Sequence, residues 1–174
     1  ELELQKLSHM NFQYKILKSY TSRNAFTRLV DIQTIPSRLI ASPEKIHPLP
    51  YPGINIDNLP FFVPIATQAV GKTQIHDWIH DHRTIHFLEL NKLDAQVIFA
   101  DQHRVFVEGK TSLLGTDIIC PPTLKPAAFI LVAMLAASGR STLRNVYTIN
   151  RGFEDFALRL NSVGAQVSTL EGEE

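Results

Sequence analysis

A chain of 174 residues with 44% hydrophobic and 20% charged residues lies in the range of a soluble globular domain and is long enough to bury a real core. Lys plus Arg equals Asp plus Glu, so the formal net charge is zero; this excludes a global basic field for nucleic acid or an anionic membrane, and any anion site has to be local. The single cysteine, Cys120, excludes an internal disulfide framework and leans towards a reducing, cytoplasmic setting. Glu1-Leu-Glu-Leu has neither the basic nor the apolar region of a signal peptide. The longest apolar run, 127–137, is about half of the ~20 residues that span a bilayer and is expected to be a buried helix.

The first segment, 4–16, is similar to the later passage 158–167 and is read as the tail of a repeat, a partial unit over 1–35. The chain is thus expected to begin inside a repeat. The stretch 36–60 holds Pro43, Pro48, Pro50 and Pro52 interleaved with apolar residues, which predicts a stiff extended connector. A first full unit is expected over approximately 57–110. Asp57 is its helix N-cap, Pro60 lies in the first turn, the helix runs 60–70 and Gly71 ends it. A strand at 73–79, a polar turn with Arg83, an amphipathic helix at 85–93 and strands at 95–100 and 104–108 follow.

A second unit, 123–174, repeats this order: Thr123 as cap, a helix at 126–138, Gly139, a strand at 141–147, Arg151 in the turn, a helix at 152–163 and a strand at 165–170. Phe153, Phe156, Leu160 and Val163 recur at the spacing of a buried helix face. The distance from Gly71 to Gly139 equals that from Arg83 to Arg151, and Leu93-Asp-Ala-Gln-Val97 is echoed by Val163-Gly-Ala-Gln-Val167. The expected fold is one α/β (α+β) domain over 1–174, pseudo-symmetric and inside-out, with helices inside and sheets outside.

Each chemically suggestive residue has a plain structural reading beside the functional one. Asp57 is a cap, a general base delivered by a rigid loop, or both; Thr123 caps equally well, so capping does not require a carboxylate. A lone turn arginine is usually solvated, but Arg83 and Arg151 at symmetric places form a fork for phosphate or carboxylate if the two turns converge. Lys125, in the first turn of the second apolar helix, adds a cation to a positive helix end. His76, His80, His82 and His86 with Asp77 and Asp81 do not have the spacing of a metal site, and no metal or cofactor is expected. Gly71-Lys-Thr is not a P-loop, because Ala66 stands where the first glycine is required. Cys120, next to two prolines and without a base beside it, is expected to be a small apolar residue.

Four blocks, Pro50-Tyr-Pro-Gly-Ile-Asn-Ile-Asp57, His80-Asp-His-Arg83, Leu124-Lys-Pro-Ala-Ala and Ile149-Asn-Arg-Gly-Phe-Glu154, resemble the enolpyruvyl transferase family, and most of all UDP-N-acetylglucosamine 1-carboxyvinyltransferase. The resemblance covers nearly the whole chain, most securely 48–172. It implies most of one of that enzyme's two domains, and transfer of the enolpyruvyl group of phosphoenolpyruvate to the 3-hydroxyl of UDP-N-acetylglucosamine in peptidoglycan synthesis, with loss of phosphate. It implies Asp57 as the base on that hydroxyl, Arg83 and Arg151 facing phosphoenolpyruvate, and Ile79 against the UDP-sugar. Lys125 stands where the family usually has arginine, which keeps the charge and loses the bidentate fork, and Thr123 replaces an aspartate. The other domain of the family's cleft is the implied partner, so the isolated chain is expected to be inactive. A non-catalytic binding module of the same fold and a 3-phosphoshikimate 1-carboxyvinyltransferase-like enzyme are the alternatives.

Overall fold

The computed structural model describes residues 2–170; Glu1 and 171–174, the ends of the expected first and last units, lie outside the described residues. The chain opens with α1 (Leu2–His9) and an antiparallel hairpin, β1 (Gln13–Thr21) with β2 (Arg28–Ile35). A short 3₁₀ turn (Leu59–Phe61) leads into α2 (Phe62–Thr67), and β3 (Gly71–His76) follows. A long 3₁₀ helix (Arg83–Leu93), β4 (Gln96–Asp101) and β5 (Arg104–Gly109) complete the first unit. The second holds β6 (Asp117–Ile119), α3 (Leu124–Ala136), β7 (Thr142–Arg144), α4 (Tyr147–Gly152) and α5 (Phe156–Ser162).

The inside-out arrangement follows from which residues are apolar. α3 carries almost nothing but apolar residues, and a helix apolar all round is stable only in an interior. Its Phe129, Ile130 and Ala133 are fully buried beside Val63 and Ala66 of α2. The antiparallel sheet β3–β5–β4 lies outside this pair. Val105 and Val107 of β5 point inwards while Arg104 and Glu108 are exposed, the alternation of a strand with one wet face. The two units meet where the Phe87 ring packs edge-on against Phe129, with centroids 5.5 Å apart.

The expected connector is extended, and it does more than connect. It runs parallel to β3, through bridges at Ile40–Val70 and Ile46–Ile75. The β6–β7 pair is parallel too, and Leu114 bridges Ser138 just as Ile40 bridges Val70. The structural repeat therefore includes a strand upstream of Asp57 and of Thr123. A second recurrence sits at the helix ends. Asn11, Asp94 and Gly164 all have positive φ (64°, 61° and 98°). The next amide reaches back five residues in each case: Phe12 to Leu7 (2.9 Å), Ala95 to Leu90 (3.2 Å) and Ala165 to Leu160 (3.1 Å). This is the glycine-type helix stop of a Schellman motif, used three times. Asn91 adds a clamp, donating to the Val97 carbonyl (3.0 Å) and accepting from its amide (2.8 Å); Asn161 does the same to Val167. The order helix, strand, strand is also shared by α1–β1–β2 and by the 3₁₀ helix with β4 and β5.

Several expected elements are corrected. The helix over 60–70 is shorter, because Pro64 has no amide to donate, and Gly71 (φ 111°) opens β3 instead of stopping the helix. Its Cβ would lie 3.0 Å from that of Ala41. The helix at 85–93 is 3₁₀: the buried residues Thr84, Phe87, Leu90 and Leu93 recur every third position, which aligns on one face at three residues per turn. The strand at 73–79 stops at His76, and the strand at 141–147 spans only Thr142–Arg144. The helix at 152–163 is shortened to α5, which starts after Asp155 at φ 45°, and α4 forms where the strand end and the Arg151 turn were expected. Phe153 and Phe156 stack 4.5 Å apart against a small second core of Cys120, Ala127 and Ile149, but Val163 is exposed. Residues 165–170 form no regular strand, because no neighbouring strand among the described residues offers them a ladder. In the first unit β5 occupies the corresponding edge of β3. Beside β7 that edge has no paired strand among the described residues, and a concavity of about 940 Å³ lies along it, lined by Arg140, Ser141, Leu143, Asn150 and Gln166 among others.

Asn91→Ala should destabilise the chain by about 1–3 kcal/mol, since it strands both polar groups of the buried Val97. Asn161→Ala, on an exposed segment, should do less, and urea midpoints measure both. Stability should also fall with acid. Burial lowers the pKa of His76 and His86, so the unfolded chain binds protons more readily than the folded one. The contribution is full above about pH 6.5 and is lost as the pH falls through that value. The midpoint should drop between about pH 7 and pH 5.5, and His86→Gln should flatten the drop.

Candidate functional site

The site is built at the N-terminal end of α3. Thr123 holds the N-cap position in an extended conformation (φ −112°, ψ 137°), but its hydroxyl makes no capping bond. Pro126 has no amide, and the first-turn carbonyl of Thr123 accepts from Ala127 at 3.2 Å. The positive end of α3 is left to side chains from elsewhere. Lys125 projects from that first turn, and its Nζ lies 3.6 Å from Oδ2 of Asp57.

Asp57 is not the cap it was expected to be. Asn58 holds that position in a helical conformation without a capping bond, its side-chain amide donating instead to Glu3 Oε1 (3.0 Å). The Asp57 amide donates to Oδ1 of Asn55 (2.9 Å), a local turn that fixes its backbone and leaves the carboxylate free to face Lys125. The proline-rich loop before it thus delivers the carboxylate from one unit to the helix end of the other.

Arg83 is not a solvated turn residue. Its side chain is only 10% exposed, its Nη2 donates to the Ile56 carbonyl (3.1 Å), next to Asp57, and its Nε is ion-paired with Asp77 Oδ2. Arg151 reaches the same region by another route. It ends α4, and a Cβ on the following Gly152 would lie 2.4 Å from Cδ2 of Leu124, so the backbone after Arg151 passes directly over the first turn of α3. Arg151 itself is exposed, with no ion pair or side-chain hydrogen bond among the described residues. The structure thus joins Asp57 and Lys125 directly, Arg83 through the Ile56 carbonyl, and Arg151 through the Gly152 backbone. No contact between the two guanidiniums is seen among the described residues: Arg83 is held by Asp77 and Ile56, and Arg151 has no ion pair. Ile79 is 47% exposed on the loop after β3.

Asp77 is the residue that sequence reasoning missed. It is fully buried. Oδ1 accepts from the amides of Ile79 (3.3 Å) and His80 (3.1 Å), and Oδ2 faces Arg83. The signal available was an aspartate at a strand end followed by a turn, the setting in which a carboxylate folds back on the next amides. Grouping it with histidines as a candidate metal ligand hid that. The histidines do not gather: His80 Nδ1 is 3.7 Å from Asp77, His103 pairs with the Asp77 carbonyl (2.9 Å) and lies 3.6 Å from Asp81, and His76 is on β3. Among the described residues no three His, Cys, Asp or Glu side chains converge as a metal site. Cys120 is buried, and burial raises its thiol pKa, which suits an apolar packing residue. No described helix is long and apolar enough to cross a membrane.

Comparison with known proteins identifies the family and the fold. A family model described as EPSP synthase (3-phosphoshikimate 1-carboxyvinyltransferase) matches residues 4–160. The chain is 30% identical to UDP-N-acetylglucosamine 1-carboxyvinyltransferase of Borrelia garinii subsp. bavariensis, over 99% of this chain and 42% of the relative. It is 33% identical to the protein of that name from Chlorobium limicola, over 87% of this chain and 37% of the relative. Among solved structures, the enolpyruvyl transferase NikO from Streptomyces tendae superposes with a TM-score of 0.74 at 26% identity, covering 94% of this chain and 35% of that one. EPSP synthase from Acinetobacter baumannii, at 18% identity and a TM-score of 0.71, shares the fold. The chain spans less than half the length of these curated relatives. It belongs to the EPSP synthase (3-phosphoshikimate 1-carboxyvinyltransferase) family, the enolpyruvyl transferases.

Proposed function

We propose that this chain supplies one half of the active site of an enolpyruvyl transferase that moves the enolpyruvyl group of phosphoenolpyruvate to the 3-hydroxyl of UDP-N-acetylglucosamine, releasing phosphate. The observation that carries this reading is the convergence of Asp57, Lys125 and Arg83 at the open end of α3. The donor and the acceptor are both anionic, and a cation cluster on a positive helix end is a place for such groups. Lys125, Arg83 and Arg151 are the cations, Ile79 is the apolar contact for the UDP-sugar, and Asp57 is the base that takes the hydroxyl proton.

The Asp57–Lys125 pair has a natural place in this scheme. Both side chains are partly exposed, and such pairs contribute only about 0.2–1 kcal/mol. An incoming anion therefore replaces Asp57 beside Lys125 at little cost, and the freed carboxylate becomes available to the hydroxyl. A second domain, closing over this face, would provide the remaining substrate contacts and exclude water. The work belongs to peptidoglycan synthesis in the cytoplasm and uses no cofactor. The whole chain, 1–174, is one repeat-built domain in this reading, with units over approximately 57–110 and 123–174 and a partial one over 1–35. A second reading, a non-catalytic binding module, is motivated by Lys125 and Thr123, which stand where the resemblance implies arginine and aspartate. In an acceptor test, binding of UDP-N-acetylglucosamine but not shikimate 3-phosphate separates the first reading from a 3-phosphoshikimate-type enzyme.

The chain alone should release no phosphate from phosphoenolpyruvate and UDP-N-acetylglucosamine; measurable release would overturn its assignment as half a site. In a longer protein that contains this chain and is active, Asp57→Asn should lower kcat by about a hundredfold or more, the scale of a lost general base, with little change in UDP-sugar affinity. Equal losses in both would make Asp57 a structural residue, and an inactive longer protein that still binds both ligands would favour the binding module.

A further inference from the structure

We infer that Asp77 is a positioning residue for the substrate-facing surface, setting the orientation of the Arg83 guanidinium and the course of the Ile79 loop together. The inference rests on the reading of Arg83 and Ile79 given above. A carboxylate with no solvent exposure is strongly unfavourable unless charge and hydrogen bonds compensate it, so a buried Asp77 is retained for what it holds. Its two oxygens divide the work. Oδ2 is ion-paired with Arg83 Nε, and neither of these two atoms makes a hydrogen bond, so the pairing of opposite charges is what each has in its buried place. Oδ1 takes the amides of Ile79 and His80, which turns the chain sharply after β3 and sends Ile79 outwards.

Asp77 is itself anchored. Its amide donates to the His103 carbonyl (2.8 Å), and its carbonyl pairs with His103 Nδ1 (2.9 Å) at the β4–β5 turn. The carboxylate is thus tied to the sheet, and Arg83 to the carboxylate. A guanidinium has five donors in a rigid plane. Nε is held by Asp77 and one Nη2 hydrogen by the Ile56 carbonyl, so two corners of the plane are fixed. Nη1 has no partner among the described residues, and its angle is set by the two groups that hold Nε and Nη2. A fork held this way is pre-organised, and an anion gains its hydrogen bonds without ordering the side chain. Asp77 touches no substrate in this scheme; it acts through Arg83 and the Ile79 amide.

The test uses the 174-residue chain with phosphoenolpyruvate as the probe, titrated by NMR, which reads weak binding. In the parent chain the Arg83 Nε–H should give a slowly exchanging proton signal, assigned by its loss in Arg83→Lys. A fast-exchanging Nε–H would overturn the proposal without any need for an Asp77 variant. Asp77→Asn keeps the shape and an acceptor for the two amides but removes the charge. It should abolish the slow Nε–H signal and weaken phosphoenolpyruvate binding by at least about tenfold, the loss expected when one partner of a buried charge pair is removed. Arg83→Ala should weaken binding equally, and the double variant should be no worse than Arg83→Ala alone. Additive losses would mean that Asp77 acts through general stability, and would overturn the positioning role. If Arg83→Ala binds as well as the parent, the assignment of Arg83 to the substrate fails, while the Nε–H signal still judges the Asp77 clamp. Trp78 lies in the same loop, with its indole donating to the Pro48 carbonyl (2.9 Å), and its unchanged emission would show that Asp77→Asn remains folded.

Discussion

The edge-on contact between Phe87 and Phe129 fixes the rest of the molecule. Phe129 sits one helical turn inside α3, and Phe87 sits one turn inside the 3₁₀ helix that begins at Arg83. Both rings are fully buried, and packed interiors do not deform continuously. Joining these two helices through rigid rings therefore sets how far Arg83 stands from Lys125. The charged residues of the candidate site are positioned by apolar residues that touch no ligand. The same contact joins one repeat to the next, so the site exists only where two units share a core.

Much of this was legible in the sequence, because period and repetition are properties of residue order. The two apolar helices and the two strands after the Arg83 turn follow from them, whereas the approach of Asp57 to Lys125 depends on how the units pack and was not legible. The failures have local causes. Thr84, Phe87, Leu90 and Leu93 fit a 3₁₀ helix, and over eleven residues an α-helical stripe differs from that pattern by too little to separate them by eye. Pro64 shortens α2, although proline near a helix start is usually tolerated. The strand at 165–170 depends on a ladder partner that its own residues cannot announce. Asp77 escaped because its importance lies in burial, and burial of a carboxylate is the last thing polarity predicts.

Repetition here conserves backbone solutions more than side chains. The helix stop is made by asparagine, aspartate and glycine in turn, each at positive φ and each with the same five-residue return bond. The Asn91 and Asn161 clamps recur, while Ser8 holds the corresponding place in the first segment. What differs between units is the chemistry at the rim: a carboxylate at 57 against a hydroxyl at 123, and a half-buried, paired arginine at 83 against an exposed one at 151 with no ion pair among the described residues. Pseudo-symmetry supplies the frame, and departures from it make one end of α3 unlike any other place on the surface.

Gly152 carries a final consequence. A Cβ there would meet the end of the Leu124 side chain at 2.4 Å, so the chain after Arg151 packs against the first turn of α3 through that side chain. Position 151 is thereby tied to the helix end that carries Lys125, and Asp57 is the one carboxylate paired directly with either cation among the described residues. In a protein whose total charge is zero, the attraction of this corner for anions is local and should weaken as salt is added, the Debye length being about 8 Å at physiological ionic strength.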